Sequence, residues 1–295
     1  RPNPSSTTRM YPQPISSAPV VTLRLVAGSA LAALALPASL AGGSAPEARS
    51  SGERAIELRP DLVTLPIQDL RVRKKGGERV LRLSNEIGNR GAGPLEIAAG
   101  PASGECGEGR YEARQVVYAD TNASGTFERG IDEPGPPRAI GCIDYHGAPG
   151  HRHWHVVDLV GYRLVNEGDG RGVARRKVGF CISDRSGFLP SPAPGAPSRP
   201  YYGTGCGGPG VPPEQMGLSV GWADLYAYRI AGQGLRVTGL DRGRYCLISR
   251  ADPGDVIAET RPANNARQVP IALRPRKGKA RRLKGRCQLP PTSAE

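Results

Sequence analysis

Between residues 55 and 275 the chain never sustains a long helical period. It offers short apolar runs separated by turn residues: Asp61-Leu-Val-Thr-Leu-Pro-Ile, Arg79-Val-Leu-Arg-Leu-Ser-Asn, Gly93-Pro-Leu-Glu-Ile and Arg114-Gln-Val-Val-Tyr. His153–Val160, Lys177–Ile182, Leu235–Leu240, Tyr245–Ser249 and Gln268–Leu273 continue the series. These runs are β-rich and mostly alternate between apolar and polar residues. That pattern fits half-buried strands at the spacing of an antiparallel β-sandwich. A single short helix is expected around Trp222–Arg229. The 40 Gly and 29 Pro predict long loops, the longest at Ser186–Gln215 with Cys206 as a natural pin. The fold class is therefore all-β: an antiparallel sandwich with long Gly/Pro-rich loops, pinned by disulfides.

The pins follow from the compartment. Val20–Gly43 has an apolar Ala/Leu core after Arg24 and ends in small residues, the layout of an export signal. Its apolar length approaches the spanning range, but Pro37 and the small-residue exit favour export over a retained anchor. The first methionine is Met10, so residues 1–19 read as leader or as untranslated sequence. The expected layout is a leader over 1–46, a linker over 47–56, a folded domain over 57–274 and a basic tail over 275–295. In an oxidising compartment the six cysteines, 106, 142, 181, 206, 246 and 287, read as disulfides. Six allow fifteen connectivities, of which neighbour pairing is the simplest.

The formal charge of +13 favours anionic surfaces. Part of it lies in Arg274–Arg286, read as a solvated tail able to adhere to an anionic cell-surface polymer. Few aromatic residues stand nearby to stack on bases, so nucleic acid is not an expected partner.

Chemistry concentrates at His151-Arg-His153-Trp-His155, which holds three of the four histidines. A period of two on a strand turns all three imidazoles to one face and Arg152 and Trp154 away. Imidazole suits copper, zinc, iron or nickel, so copper and zinc both stay open here. Asp120, Asn122, Ser124 and Gly125 imitate the start of an EF-hand loop. Ile131 stands where the bidentate Glu belongs, so an Asp/Asn/Gly turn is the better reading.

The triad is followed by Arg176-Lys177-Val-Gly-Phe-Cys181-Ile-Ser-Asp184, then Gly217-Leu-Ser-Val-Gly-Trp-Ala-Asp224-Leu-Tyr226, then Gly243-Arg-Tyr-Cys-Leu and Asn264-Asn265. In this order the chain resembles the catalytic domain of lysyl oxidases over most of residues 57–273, nearer the shorter bacterial members than the animal enzymes. The resemblance implies a secreted copper amine oxidase that turns primary amines, peptidyl lysine among them, into aldehydes. Dioxygen is the oxidant, and hydrogen peroxide and ammonia are released. It also implies that His151, His153 and His155 hold copper, and that Lys177 and Tyr226 become a cross-linked lysine tyrosylquinone. That addition needs Lys177 deprotonated, hence partly desolvated or beside cations such as Arg175 and Arg176. Asp224 is a candidate general base. Asp61 and Asn264, with Asn265, fall where the family can hold calcium.

Read without the resemblance, Lys177 is an exposed basic strand edge, and Tyr226 has a close rival in Tyr228. His146 falls outside the matched frame and ranks last of the four histidines as a ligand. The rival functions are a secreted metal-binding sandwich without turnover, in adhesion or copper handling, and a zinc hydrolase, which lacks a clear base.

Overall fold

Alternation does build two large antiparallel sheets and one small one. The structure is a computed structural model and describes residues 56–148, 151–203 and 205–290. The expected leader, and the linker up to residue 55, lie outside the described residues.

The larger sheet has nine strands. Its order runs Met216–Leu218, Leu95–Ala102, Tyr111–Val116, Arg138–His146, His153–Asn166, Gly243–Ala251, Ala266–Arg274 and Lys279–Arg282. Gly172–Phe180 pairs with the 14-residue strand His153–Asn166. The second sheet has six strands gathered around Glu78–Asn89, which pairs with Trp222–Tyr226, Leu235–Arg236, Leu62–Thr64 and Gln68–Lys75. Ser186–Gly187 completes it beside Trp222–Tyr226. A small third sheet joins Glu57–Leu58, Tyr118–Ala119 and Glu133–Pro134.

The core is the apolar face of each run. Val269, Ile271 and Leu273 alternate inward on one sheet, and Leu81 and Leu83 on the other, all essentially unexposed and part of one cluster. Each such side chain contributes roughly 1.5–3 kcal/mol on burial. A polar link crosses the core where Ser249 Oγ donates to Asn85 Oδ1 at 2.7 Å.

Three disulfides join neighbours in sequence: Cys106–Cys142, Cys181–Cys206 and Cys246–Cys287. The second pins the long loop behind the histidine strand, where Trp154 N–H donates to Cys206 O at 2.8 Å. The Asp120 loop is a self-satisfied turn, its carboxylate accepting from Ser124 N and Gly125 N at 3.1 and 2.8 Å.

Two expectations need correction. Trp222–Tyr226 is a strand rather than a helix, because pairing with Asn85–Gly88 buries Ala223, Asp224 and Tyr226 and overrides a weak local preference. The basic run is not free over 275–286. Lys279–Arg282 adds a strand to Ile271–Arg274, and Cys287 is tied to Cys246. A short strand of Lys and Arg at a sheet edge is soluble and resists pairing with another chain. Residues 291–295 lie outside the described residues.

Candidate metal centre and its neighbours

His153 and His155 lie on one strand, with His151 just before its start. Trp154 points the other way, 3% exposed, its ring edge-on to Tyr111 and Tyr145 and its indole N–H donating to Gly208 O at 2.9 Å. The alternation therefore separates a packed face from an imidazole face. One ring nitrogen from each of His151, His153 and His155 lies within 4.8 Å of the others.

The partners identify which nitrogens are free. His151 Nε2 faces the Ala231 carbonyl at 3.2 Å, and a carbonyl can only accept, so this nitrogen carries the proton. That leaves the Nδ1 lone pair of His151, 3.2 Å from His155 Nε2. Two nitrogens each about 2.0–2.1 Å from one ion stand roughly 3 Å apart, so the spacing suits a shared metal. His153 Nε2 is buried without a partner.

Electrostatics points the same way. Burial, then the charge of His153, His151 and His146, pushes His155 down to about 3. Burial also lowers His151 and His153, with His146 adding to both shifts. Neutral imidazole is the ligating form. Gly179, in the neighbouring strand, leaves the room His155 needs. A Cβ there would come within 3.2 Å of His155 Cβ and 2.8 Å of Val156 O.

Tyr226 opens into the same space. A cavity of about 420 Å³ is lined by His151, His153, Arg185, Asp224, Tyr226 and Ile230. The Tyr226 hydroxyl donates to Cys181 O at 3.0 Å and accepts from Cys181 N–H at 2.8 Å, while its ring meets Phe180 edge-on. Burial, then the Asp224 charge, raises the phenol well above its ordinary value. Asp224 is 3% exposed; its Oδ2 accepts from Ser183 N–H at 3.2 Å, and its Oδ1 has no partner. Burial pushes its carboxyl up to about 8, against the Ser183 hydrogen bond and the Arg185 charge. Sequence reasoning missed Arg185; its only signal was a cation directly after the Cys181–Asp184 block.

The family model described as Lysyl oxidase matches residues 137–281. These residues form a lysyl oxidase family domain. No curated protein matches the chain. The lysyl oxidase match spans the triad, Lys177, Asp224 and Tyr226. The sandwich that carries them also draws on strands before residue 137, above all Glu78–Asn89, which holds Trp222–Tyr226 in place.

One expected member of the lysyl oxidase site stands apart. Lys177 and Phe180 are three residues apart on a strand, so their side chains point to opposite faces, and it is Phe180 that touches Tyr226. Lys177 is about half exposed and paired with Asp158 at 3.7 Å. It lines a separate cavity of about 1020 Å³ with Tyr162, Arg175, Arg176, Arg250 and Pro253. Of the two settings expected for this amine, the structure shows the second: it is half exposed with a carboxylate partner rather than desolvated, and Arg175 and Arg176 line the same cavity. Asp158 sits at φ 57° within the bulge that His153–Asn166 makes against this strand.

The calcium expectation also changes. Asp61 is buried, yet its Oδ2 accepts from Arg261 Nε and Nη2 at 3.0 and 2.5 Å, and its Oδ1 from Asn264 Nδ2 at 2.8 Å. Asn265 Nδ2 donates to Glu259 Oε1 at 2.6 Å, and the side-chain oxygens of both asparagines lack partners. A guanidinium already occupies the carboxylate that calcium would need, so these residues do not fit the ion. Two results are expected. Millimolar calcium leaves the melting temperature of the wild-type protein unchanged. Arg261→Ala costs about 1–3 kcal/mol in denaturant unfolding by leaving a buried acceptor unpaired, and makes the protein respond to calcium.

Proposed function

We propose that this lysyl oxidase domain is a secreted, copper- and quinone-dependent amine oxidase acting on primary amines, peptidyl lysine among them. The observation that carries this reading is the shared cavity: His151 and His153, two of the three clustered imidazoles, line one space with Tyr226 and the buried Asp224 carboxyl, and His155 completes the triad beside them. Copper suits three imidazole nitrogens, and with dioxygen it would supply the oxidising power that converts Tyr226 to a quinone. Zinc suits them equally as a ligand set, so it is Tyr226, not the triad, that favours copper.

The chain's own residues do the rest. His151 is oriented by Ala231 O, which fixes its tautomer. Asp224, once ionised, stands ready to take the α-proton of a bound amine, and Arg185 favours that ionised form. Lys177 must cross to the Tyr226 side. Among the described residues its strand pairs only with His153–Asn166, and its ion-pair partner sits in a bulge, so a local refit of this edge is the route. Three disulfides fit an oxidising, extracellular setting. The basic edge at Lys279–Arg282 is suited to an anionic cell-surface polymer. Among the described residues no helix is long and apolar enough to cross a membrane.

The separation of Lys177 from Tyr226 favours the rival reading, a metal-binding sandwich without turnover. One experiment divides them. Copper-loaded protein incubated under air is digested and searched by mass spectrometry for a peptide joining Lys177 to Tyr226, alongside an assay for amine-dependent peroxide. Both should appear; absence of both sinks the oxidase reading and leaves the binding protein.

A further inference from the structure

We propose that His146 is a fourth imidazole ligand of the metal held by His151, His153 and His155, supplied across the strand pair from Arg138–His146. The inference rests on the metal-site reading above and goes beyond the triad.

Register places the ring. His146 stands directly opposite His153, and Tyr145 opposite Trp154. Directly opposed residues share a face. The Tyr145 and Trp154 rings meet on the packed face at 5.5 Å, which puts His146 with the imidazoles. There its ring lies 4.1 Å from that of His151 and 5.1 Å from that of His155, centroid to centroid. All four histidines of the chain are thus in one cluster.

The hydrogen-bond inventory then singles out His146. Its Nδ1 is buried and lacks a partner, the same condition as His153 Nε2. An unpaired buried polar atom is destabilising, and ligation would satisfy it. The other cross-strand candidate is excluded: Asp144 stands opposite His155, but its carboxylate is taken by Arg110 at 2.9 Å. The backbone at His146 is held by Arg152 N–H donating to its carbonyl at 2.8 Å, and its nitrogens lie outside the 4.8 Å set of the triad, so ligation requires the ring to rotate from its stack on His155 toward the shared point. Four nitrogen ligands suit the tetragonal geometry of Cu(II).

The test titrates Cu(II) into the full chain and into His146→Gln, His146→Phe and His153→Ala, each first shown to unfold cooperatively without metal. Pulsed paramagnetic resonance counts the coordinated imidazoles, and competition with a chelator gives affinity. Four imidazoles in the wild type and three in both His146 variants, with affinity at least about tenfold weaker, is the expected result. Three imidazoles in the wild type and in the His146 variants overturns the proposal whatever the affinities do, since a supporting residue also alters affinity. A wild-type chain that binds no stoichiometric copper overturns the metal reading and this proposal together.

Discussion

Tyr226→Phe should bind copper as the wild type does, yet show no quinone absorbance and no amine-dependent peroxide. The hydroxyl is not placed as a ligand, because both of its hydrogen-bonding roles are filled by the Cys181 backbone. Removing it leaves a buried N–H and a buried carbonyl unpaired, at a cost of about 1–3 kcal/mol. A domain with stability on the order of 5–15 kcal/mol tolerates that loss, so the variant folds and the chemistry is read separately. Tyr228, its rival in sequence, serves as the control. It does not line the cavity, and its hydroxyl accepts from Arg229 Nε at 3.1 Å, so Tyr228→Phe should keep full turnover. A copper titration, quinone absorbance, a coupled peroxide assay and thermal unfolding on the same preparations check these statements. Turnover surviving in Tyr226→Phe would remove this tyrosine from the reaction.

Local pattern carried much of this site, and its reach explains both the successes and the misses. Alternation at His151–His155 reports a face directly, so the imidazole side and the packed Trp154 side were legible. The Cys206 pin was legible too, because a loop that long needs a tether. Alternation does not say which sheet covers a face. Lys177 is separated from Tyr226 by the parity of its own strand, yet that parity matters only once Phe180 is seen against Tyr226. His146 lies outside the period-two run and joins it only through a hairpin that opposes Tyr145 to Trp154. A hairpin register there, rather than a family frame, was the signal that would have found it. Trp222–Arg229 failed for a different reason: a run with one weak local preference takes the conformation of its partner, here a strand more than a hundred residues earlier in the chain.

Asp224→Asn should change both the pH dependence of stability and the rate. In the folded protein burial lifts this carboxyl from 3.8 to about 8. Below pH 4 it is protonated in folded and unfolded chains alike, and its protonated form is the one the fold prefers. Between about pH 4 and 8 the unfolded chain releases this proton while the folded one keeps it, so stability falls as pH rises, by up to roughly 1.4 kcal/mol per pH unit. Above pH 8 both forms are ionised and the loss is complete. Asparagine cannot ionise, so the variant should lose this share of the slope and gain stability relative to wild type as pH rises through that window. Denaturant unfolding at pH 5, 7 and 9 measures the difference; equal slopes in the two proteins would mean that Asp224 is ionised in the fold near neutral pH. For turnover the same carboxyl works in the opposite sense, because a general base acts in its ionised form. Wild-type kcat/KM should rise toward pH 8, and Asp224→Asn should lower it by about 10²–10⁴. Copper affinity supplies the independent control: Asp224 is not in the imidazole set, so binding should stay within a few-fold while the rate collapses. A variant that lost copper along with its rate would instead place Asp224 in support of the metal.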